Sequence, residues 1–213
     1  MNIKKAVFPV AGFGTRFLPA TKATPKEMLP IVDKPLIQYA VEEAAKIGVV
    51  EFIFFTHHAK SAIDKHFKHN ENLYETLIKQ GKQDLADSIK DIGGANAKFI
   101  SVDQGEPKGL GHAIGCASDL IEEGEFFAVI LADDLIYSDG PNVLEQMKDQ
   151  AEKYNKQVLA LEKIPQKDIS KFGVVNPNST DGRISHLSGI VEKPSAADAP
   201  SDLAVVGLSL IHI

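Results

Sequence analysis

Three things are scarce in this chain of 213 residues: cysteine, long apolar runs and positive charge. The one cysteine, Cys116, has no partner for an internal disulfide, so the chain is expected to work in a reducing compartment. No run is long and apolar enough to span a bilayer. The start, "MNIKKAVFPVAG", places two lysines before an apolar run, but that run is short, holds Pro9 and meets Gly12 and Arg16 without the hydrophobic region of a signal peptide. Together these features predict a cytoplasmic protein. Lys and Arg number 23 against 29 Asp and Glu, a net charge of −6, which disfavours a broad surface for nucleic acid or anionic membrane. Any phosphate binding must then be local. There is no internal repeat and no low-complexity tract.

What the chain has is enough apolar material for a sizeable core, 44% of its residues, and a length that suits one domain over residues 1–213. Short β-rich runs alternate with longer amphipathic stretches. "KKAVFPV", "EFIFFTH", "AKFISVD" and "FFAVILADD" read as strands. "PLIQYAVEEAAKIG", the lysine-rich stretch from Ala59 to Gly94 broken near Asn70, "AIGCASDLIEEG" and "GPNVLEQMKDQAEKYN" read as helices. That alternation predicts an α/β fold, Rossmann-like, with a mixed, mostly parallel sheet flanked by helices. Beyond "KQVLALEKI" the pattern turns to short strands, "FGVVNP", "RISHLSGIVEKP" and "LAVVGLSLI", with turn signals at Pro177 and Asp181-Gly182. These predict an antiparallel or mixed extension.

The stretch "VAGFGTRFLPATKATPKEMLP" follows the first strand, where open α/β sheets bind ligands. A dinucleotide fingerprint would need a third glycine where Phe17 stands, and a Walker A loop would need Gly-Lys-Ser/Thr at its end. Neither is present. What remains is a long loop in which Gly12 and Gly14 allow close backbone approach and positive φ, with Arg16 and Lys26 supplying full charges to a phosphate. The plain alternative is a turn with solvated cations.

The stretch "GFGTRFLPATKATPKEMLPIVDKPLIQY" resembles the signature of the sugar-nucleotide pyrophosphorylases, in the "PKEMLP" form of their bacterial uridylyltransferases. The likeness returns at "THHAKSAIDKHF", "QGEPKGLGHA", "VILADDLI", "FGVV", "IVEKP" and "SDLAVVG", and so covers nearly the whole chain. Related thymidylyl- and adenylyltransferases share the glycine loop but are less similar at "PKEMLP" and "KGLGHA". The resemblance implies a nucleotide-diphospho-sugar transferase fold. It implies attack by a phosphate oxygen of glucose 1-phosphate on the α-phosphorus of UTP, giving UDP-glucose and pyrophosphate.

By that resemblance the residues matching Ala11, Gly12, Gly14 and Thr15 wrap the nucleotide, and those matching Arg16 and Lys26 stabilise the leaving pyrophosphate. Arginine's planar fork suits a bidentate grip, and lysine acts as a movable point charge. Gln104 and Gly109 lie against the uracil. Asp133, following Ala132, is the expected ligand of Mg²⁺, a hard cation suited to carboxylate and phosphate oxygens. Asp134 beside it is left as a neighbouring or loop carboxylate. Gly173 gives space to the hexose, Glu192 accepts from sugar hydroxyls, and Lys193 meets the sugar phosphate. His112 is read as structural, since phosphate oxygens need no base. His57, His58, His66 and His69 are read as no zinc site, because no cysteine accompanies them and the last two fall among lysines on an exposed helix.

After "LAVVG" the family continues with a long segment that carries a second metal-binding aspartate, a further lysine and helices that help form the oligomer. Here the chain reads "LSLIHI". The expectation is a chain lacking that segment, with residues 208–213 foreign to the pattern and homo-oligomerisation belonging to the full-length form. The readings set against the uridylyltransferase are a non-catalytic nucleotide-binding fragment, a thymidylyltransferase using dTTP, and a more distant NAD-dependent dehydrogenase.

Overall fold

A computed structural model describes residues 1–56, 61–106 and 108–212. His57, His58, Pro107 and Ile213 lie outside them. The chain divides into two compact units, one of Met1–Val158 with the chain's end from Ser209, the other Leu159–Leu208.

The elements of the first unit are β1 (Lys5–Pro9), the two-residue strands β2 (Pro30–Ile31) and β3 (Lys34–Pro35), α1 (Leu36–Lys46), β4 (Glu51–Thr56), α2 (Ser61–Phe67), α3 (Glu71–Lys79), α4 (Gln83–Lys90), β5 (Lys98–Asp103), α5 (Leu110–Gly115), β6 (Phe126–Ile130) and α6 (Val143–Tyr154). Then follow β7 (Val158–Lys163), β8 (Gly173–Asp181), β9 (Ile184–Glu192) and β10 (Leu203–His212), the last giving residues to both units. In the first unit the strands run in the order β5-β4-β1-β6, and the β5–β4, β4–β1 and β1–β6 pairs are parallel. The expected parallel α/β sheet is what forms.

Alternation of side chains sends residues to both faces, and both faces are apolar, as a covered parallel sheet requires. On one side Phe8, Phe52, Phe54, Phe67 and Phe99 form a continuous aromatic layer, with ring centroids 4.6 Å apart for Phe67–Phe99 and 5.1 Å for Phe8–Phe54. On the other, Val7, Ile53, Phe55, Phe127 and Val129 are buried with Ala117 and Ile121. Close-packed aromatic rings add pair terms to the area they bury.

The helices follow local signals. Asn70 accepts from the Leu73 N–H at 3.1 Å, so α3 starts where the lysine-rich stretch was expected to break. Asn142 and Glu145 form a reciprocal capping box at α6. The helix expected over "AIGCASDLIEEG" is different: α5 begins three residues earlier, after Gly109, and stops at Gly115, and the remainder is a 3₁₀ turn over Ser118–Leu120. Gly111 and Gly115 weaken a helix that so few residues support.

In the second unit β8 pairs antiparallel with β9 and with β10, as the change of pattern predicted. Asp181-Gly182 does make the hairpin turn, with Gly182 at φ 57°. Pro177 does not make a turn. It sits inside β8 at a pair of register shifts, where a residue without an N–H is tolerated. Ile164, Ile169, Val174 and Ala204 make this unit's core. In β10, Leu208 and Leu210 are buried, and the His212 ring packs edge-on to Phe126 at 4.9 Å.

Helices α1 and α6 are joined by polar groups. Glu43 accepts from the Leu144 N–H at 3.2 Å, and the Lys148 ammonium donates to the Ile47 carbonyl at 3.0 Å. Burial raises the Glu43 pKa, and the N–H groups of Leu144 and Val143 oppose it only in part. The folded state therefore holds this proton more tightly than the unfolded state, so the stability it contributes is full at low pH and is lost as pH rises through the carboxylate range. Thermal unfolding followed from about pH 4 to 8 should show the native chain losing ground to Glu43→Gln over that range. A gap between the two that does not change with pH contradicts the assignment.

Candidate active site

Every strand of the parallel sheet points its C-terminal end the same way, and the loops that leave those ends carry the candidate residues of the first unit. The ladder continues one residue past β1, where the Val10 N–H donates to the Phe55 carbonyl at 2.9 Å. Ala11 is buried, and the chain emerges at Gly12. The loop then folds on itself. Gly14 adopts φ 63°, its carbonyl accepts from the Phe17 N–H at 2.9 Å and from the Thr21 hydroxyl at 2.7 Å, and Thr15–Phe17 form a 3₁₀ turn. Only Gly14 of the two glycines uses a positive φ. A Cβ on it would meet the Lys26 Cβ at 3.0 Å, whereas one on Gly12 would meet nothing within 4 Å.

This close approach brings the later part of the loop back to its start. Lys26, on the loop's third 3₁₀ turn over Lys26–Met28, reaches across to the residues just beyond β6. Its ammonium lies 2.5 Å from Asp133 Oδ2, with side chains 18% and 28% exposed. Two residues 107 apart in sequence are thus joined at the end of the sheet. Asp134, next along, is exposed.

The loop's four cations divide into two pairs. Lys26 is held by Asp133, and Lys34 donates to both carboxylate oxygens of Glu42 at 2.9 and 3.0 Å, a bond that raises the Lys34 pKa. Arg16 and Lys22 are exposed and carry no ion pair among the described residues. Glu27, the loop's sole carboxylate before Asp33, is buried, which the spacing of "PKEMLP" gave no reason to expect.

Gln104 and Gly109 flank a second loop. Gln104 is 8% exposed, and its N–H donates to the Thr56 carbonyl at 3.0 Å. Asp103 Oδ1 accepts from the Gly105 N–H at 2.9 Å and turns the chain away from β5. Gly109 precedes α5 at φ 100°, with open space where a Cβ would stand. His112, read as merely structural, lies with Nδ1 3.3 Å from Gln104 Nε2. Nothing in the sequence marks that contact, because Gln104 reaches it from outside the helix.

His66 departs from its expected exposure. It is half-buried on the face of α2 that buries Ile63 and Phe67, its Nε2 is 2.9 Å from Gln38 Oε1, and burial lowers its pKa. His69 sits 2.7 Å from Glu71. Among the described residues no group of three or more His, Cys, Asp or Glu side chains could hold a metal ion.

The three remaining candidates belong to the second unit and come together there. Gly173 and Glu192 are cross-strand partners, and the Lys193 N–H donates to the Phe172 carbonyl at 3.0 Å. A Cβ on Gly173 would meet Glu192 Oε2 at 3.2 Å, so the glycine leaves that carboxylate its place. Lys193 takes φ 45°, uncommon for a side chain other than glycine, and its ammonium is 3.2 Å from Glu192 Oε1.

A profile of the nucleotidyl transferase family matches residues 5–210. A UTP–glucose-1-phosphate uridylyltransferase of Bacillus subtilis (strain 168) is 42% identical over 206 residues, which are 97% of this chain and 70% of that protein. The chain belongs to the nucleotidyl transferase family. Its fold agrees: a UTP-bound UDP-glucose pyrophosphorylase from Acinetobacter baumannii superposes with a TM-score of 0.90 at 40% identity, over 99% of this chain and 74% of that one. A UDP-glucose pyrophosphorylase complexed with UDP-glucose superposes with a TM-score of 0.83 at 42% identity, over 99% and 76%. No helix among the described residues is long and apolar enough to cross a membrane.

The glycine loop offers a paired test within this nucleotidyl transferase. Gly14→Ala places a side chain at positive φ, at about 1–2 kcal/mol, and pushes on Lys26. It should lower the unfolding midpoint and weaken nucleotide binding together. Gly12→Ala should leave the stability within about 0.5 kcal/mol of the parent. Equal losses in the two, measured by thermal denaturation and nucleotide titration, contradict the geometry.

Proposed function

We propose that the chain transfers a uridylyl group from UTP to glucose 1-phosphate, releasing pyrophosphate. The observation that carries this reading is the Lys26–Asp133 pair, which sets a cation and a hard oxygen ligand side by side at the strand ends, next to a glycine loop with two further cations. Family membership and the likeness to uridylyltransferases support the choice of substrates.

An oxygen of the sugar phosphate attacks the α-phosphorus of UTP. One P–O bond forms, the bond to the bridging oxygen of the β-phosphate breaks, and that oxygen leaves with pyrophosphate. No proton has to move, since the attacking oxygen is already ionised, so the protein's work is alignment and charge stabilisation. Ala11, Gly12, Gly14 and Thr15 hold the nucleotide. Arg16 and Lys26 meet the charge that builds on the leaving pyrophosphate. Gln104 and Gly109 receive the base. Gly173 and Glu192 receive the hexose, and Lys193 its phosphate.

The donor set fits Mg²⁺. Asp133 is a partly exposed carboxylate paired with Lys26, and the described residues build no cage of their own. That suits an ion shared with substrate phosphates and water. Mg²⁺, when bound, neutralises phosphate oxygens, and Asp133 would hold it.

The test is pyrophosphate release from UTP and glucose 1-phosphate with Mg²⁺, using the purified chain. Asp133→Ala and Lys26→Met should each cut the rate by about a hundredfold or more while the fold is retained, the scale seen when a stabiliser of developing charge is removed. Faster release with dTTP would replace the uridylyl reading with a thymidylyl one. Nucleotide binding without release from either would make the chain a non-catalytic binder.

A further inference from the structure

His112 sits between two groups. Its Nδ1 is 3.3 Å from Gln104 Nε2, and its Nε2 is 3.9 Å from Cys116 Sγ, one helical turn further on. Gln104 is almost fully buried, and its backbone is fixed to Thr56. An amide has two donors and one acceptor oxygen. With Nε2 turned to the ring, one N–H is spent on His112. Among the described residues no hydrogen bond is made to Oε1.

We propose that His112 is a positioning residue that fixes which way the Gln104 amide faces, and that this orientation makes the nucleotide site accept uracil and refuse cytosine. The inference rests on the uridylyl reading. Nδ1 accepts only if the ring proton is on Nε2, and there it points at Cys116 Sγ, a weak acceptor. This tautomer leaves Oε1 and the second N–H of Gln104 for the base. Uracil offers a donor at N3–H beside carbonyl acceptors, which an oxygen and an N–H match. Cytosine offers an acceptor at N3 beside an amino donor, which sets Oε1 against a lone pair in a place with little water. A buried mismatch of that kind discriminates far more than a lost contact. The reverse tautomer, with the proton on Nδ1, would turn the amide over and favour cytosine. The ring's place in the fold thus carries the choice of base, although it need not touch the nucleotide.

Two substitutions separate this role from a structural one. His112→Asn keeps an acceptor near the Nδ1 position, and His112→Leu keeps bulk without one. UTP and CTP binding to the full chain is measured by calorimetry for each, with thermal denaturation alongside, and the ring nitrogens of the native chain are read by ¹⁵N NMR without ligand. The expected result is a preference for UTP that narrows about fivefold in His112→Leu, the worth of one hydrogen bond of about 1 kcal/mol, and that His112→Asn restores. A pyridine-type signal at Nδ1 of the native chain is expected beside it. UTP and CTP weakened by one common factor in His112→Leu, or a protonated Nδ1 in the native chain, overturns the proposal. A native chain that does not distinguish UTP from CTP overturns the uridylyl reading as well; the NMR signal then still reports whether the His112–Gln104 bond exists.

Discussion

The hydrogen bond from Val10 to the Phe55 carbonyl is the last rung before the loop begins, and the placement of the loop depends on it. Parallel strands leave few choices: β1 is paired to β4 on one side and β6 on the other, with both faces covered by apolar layers. A chain so enclosed cannot shift its register by one residue without turning Phe8 and Val7 to the wrong faces. The point where the backbone leaves the sheet is therefore set by the core, and Gly12 appears at the surface because Ala11 is the last residue the core can bury. Phosphate chemistry needs charges held to within fractions of an ångström. Here a hydrophobic constraint supplies that precision.

Legibility in the sequence followed the range of the interaction. The strands β1, β4, β5 and β6 could be read because a strand buried on both faces is a run of apolar residues, and α6 because its cap lies within four residues. The end of α5 could not, since Gly115 and the residues after it differ little in hydrophobic pattern from a longer helix. Pro177 was misread for a related reason: proline marks a turn or an irregular strand equally well, and the pairing partner decides which. The glycine loop was conspicuous by composition. Its decisive contact, Lys26 to Asp133, spans 107 residues and has no trace in local spacing. The family resemblance named both residues, but not that they bind each other. Gly173 and Glu192 are a similar case, adjacent only once the hairpin folds.

In a chain with net charge −6, the proposed transfer between two phosphate substrates requires cations placed by contact rather than by general field. The loop does this in two ways. Lys34 is given to Glu42, which Gln38 also contacts through its Nε2 at 2.8 Å, so that charge serves the architecture. Arg16 and Lys22 face solvent, where their attraction is screened until a ligand displaces water.

The ion pair between Lys26 and Asp133 has a consequence for the free protein among the cell's dissolved anions. A stray inorganic phosphate drawn to Lys26 must first separate two charges 2.5 Å apart, and it leaves behind a carboxylate that has lost its cation and is only partly exposed to water. It offers nothing to that carboxylate in return. A triphosphate arriving with a divalent cation brings a new partner for each half, and the exchange leaves no charge stranded. On the proposed reading the pair would filter what docks: abundant small anions meet a closed door, and the ion-paired nucleotide carries both keys.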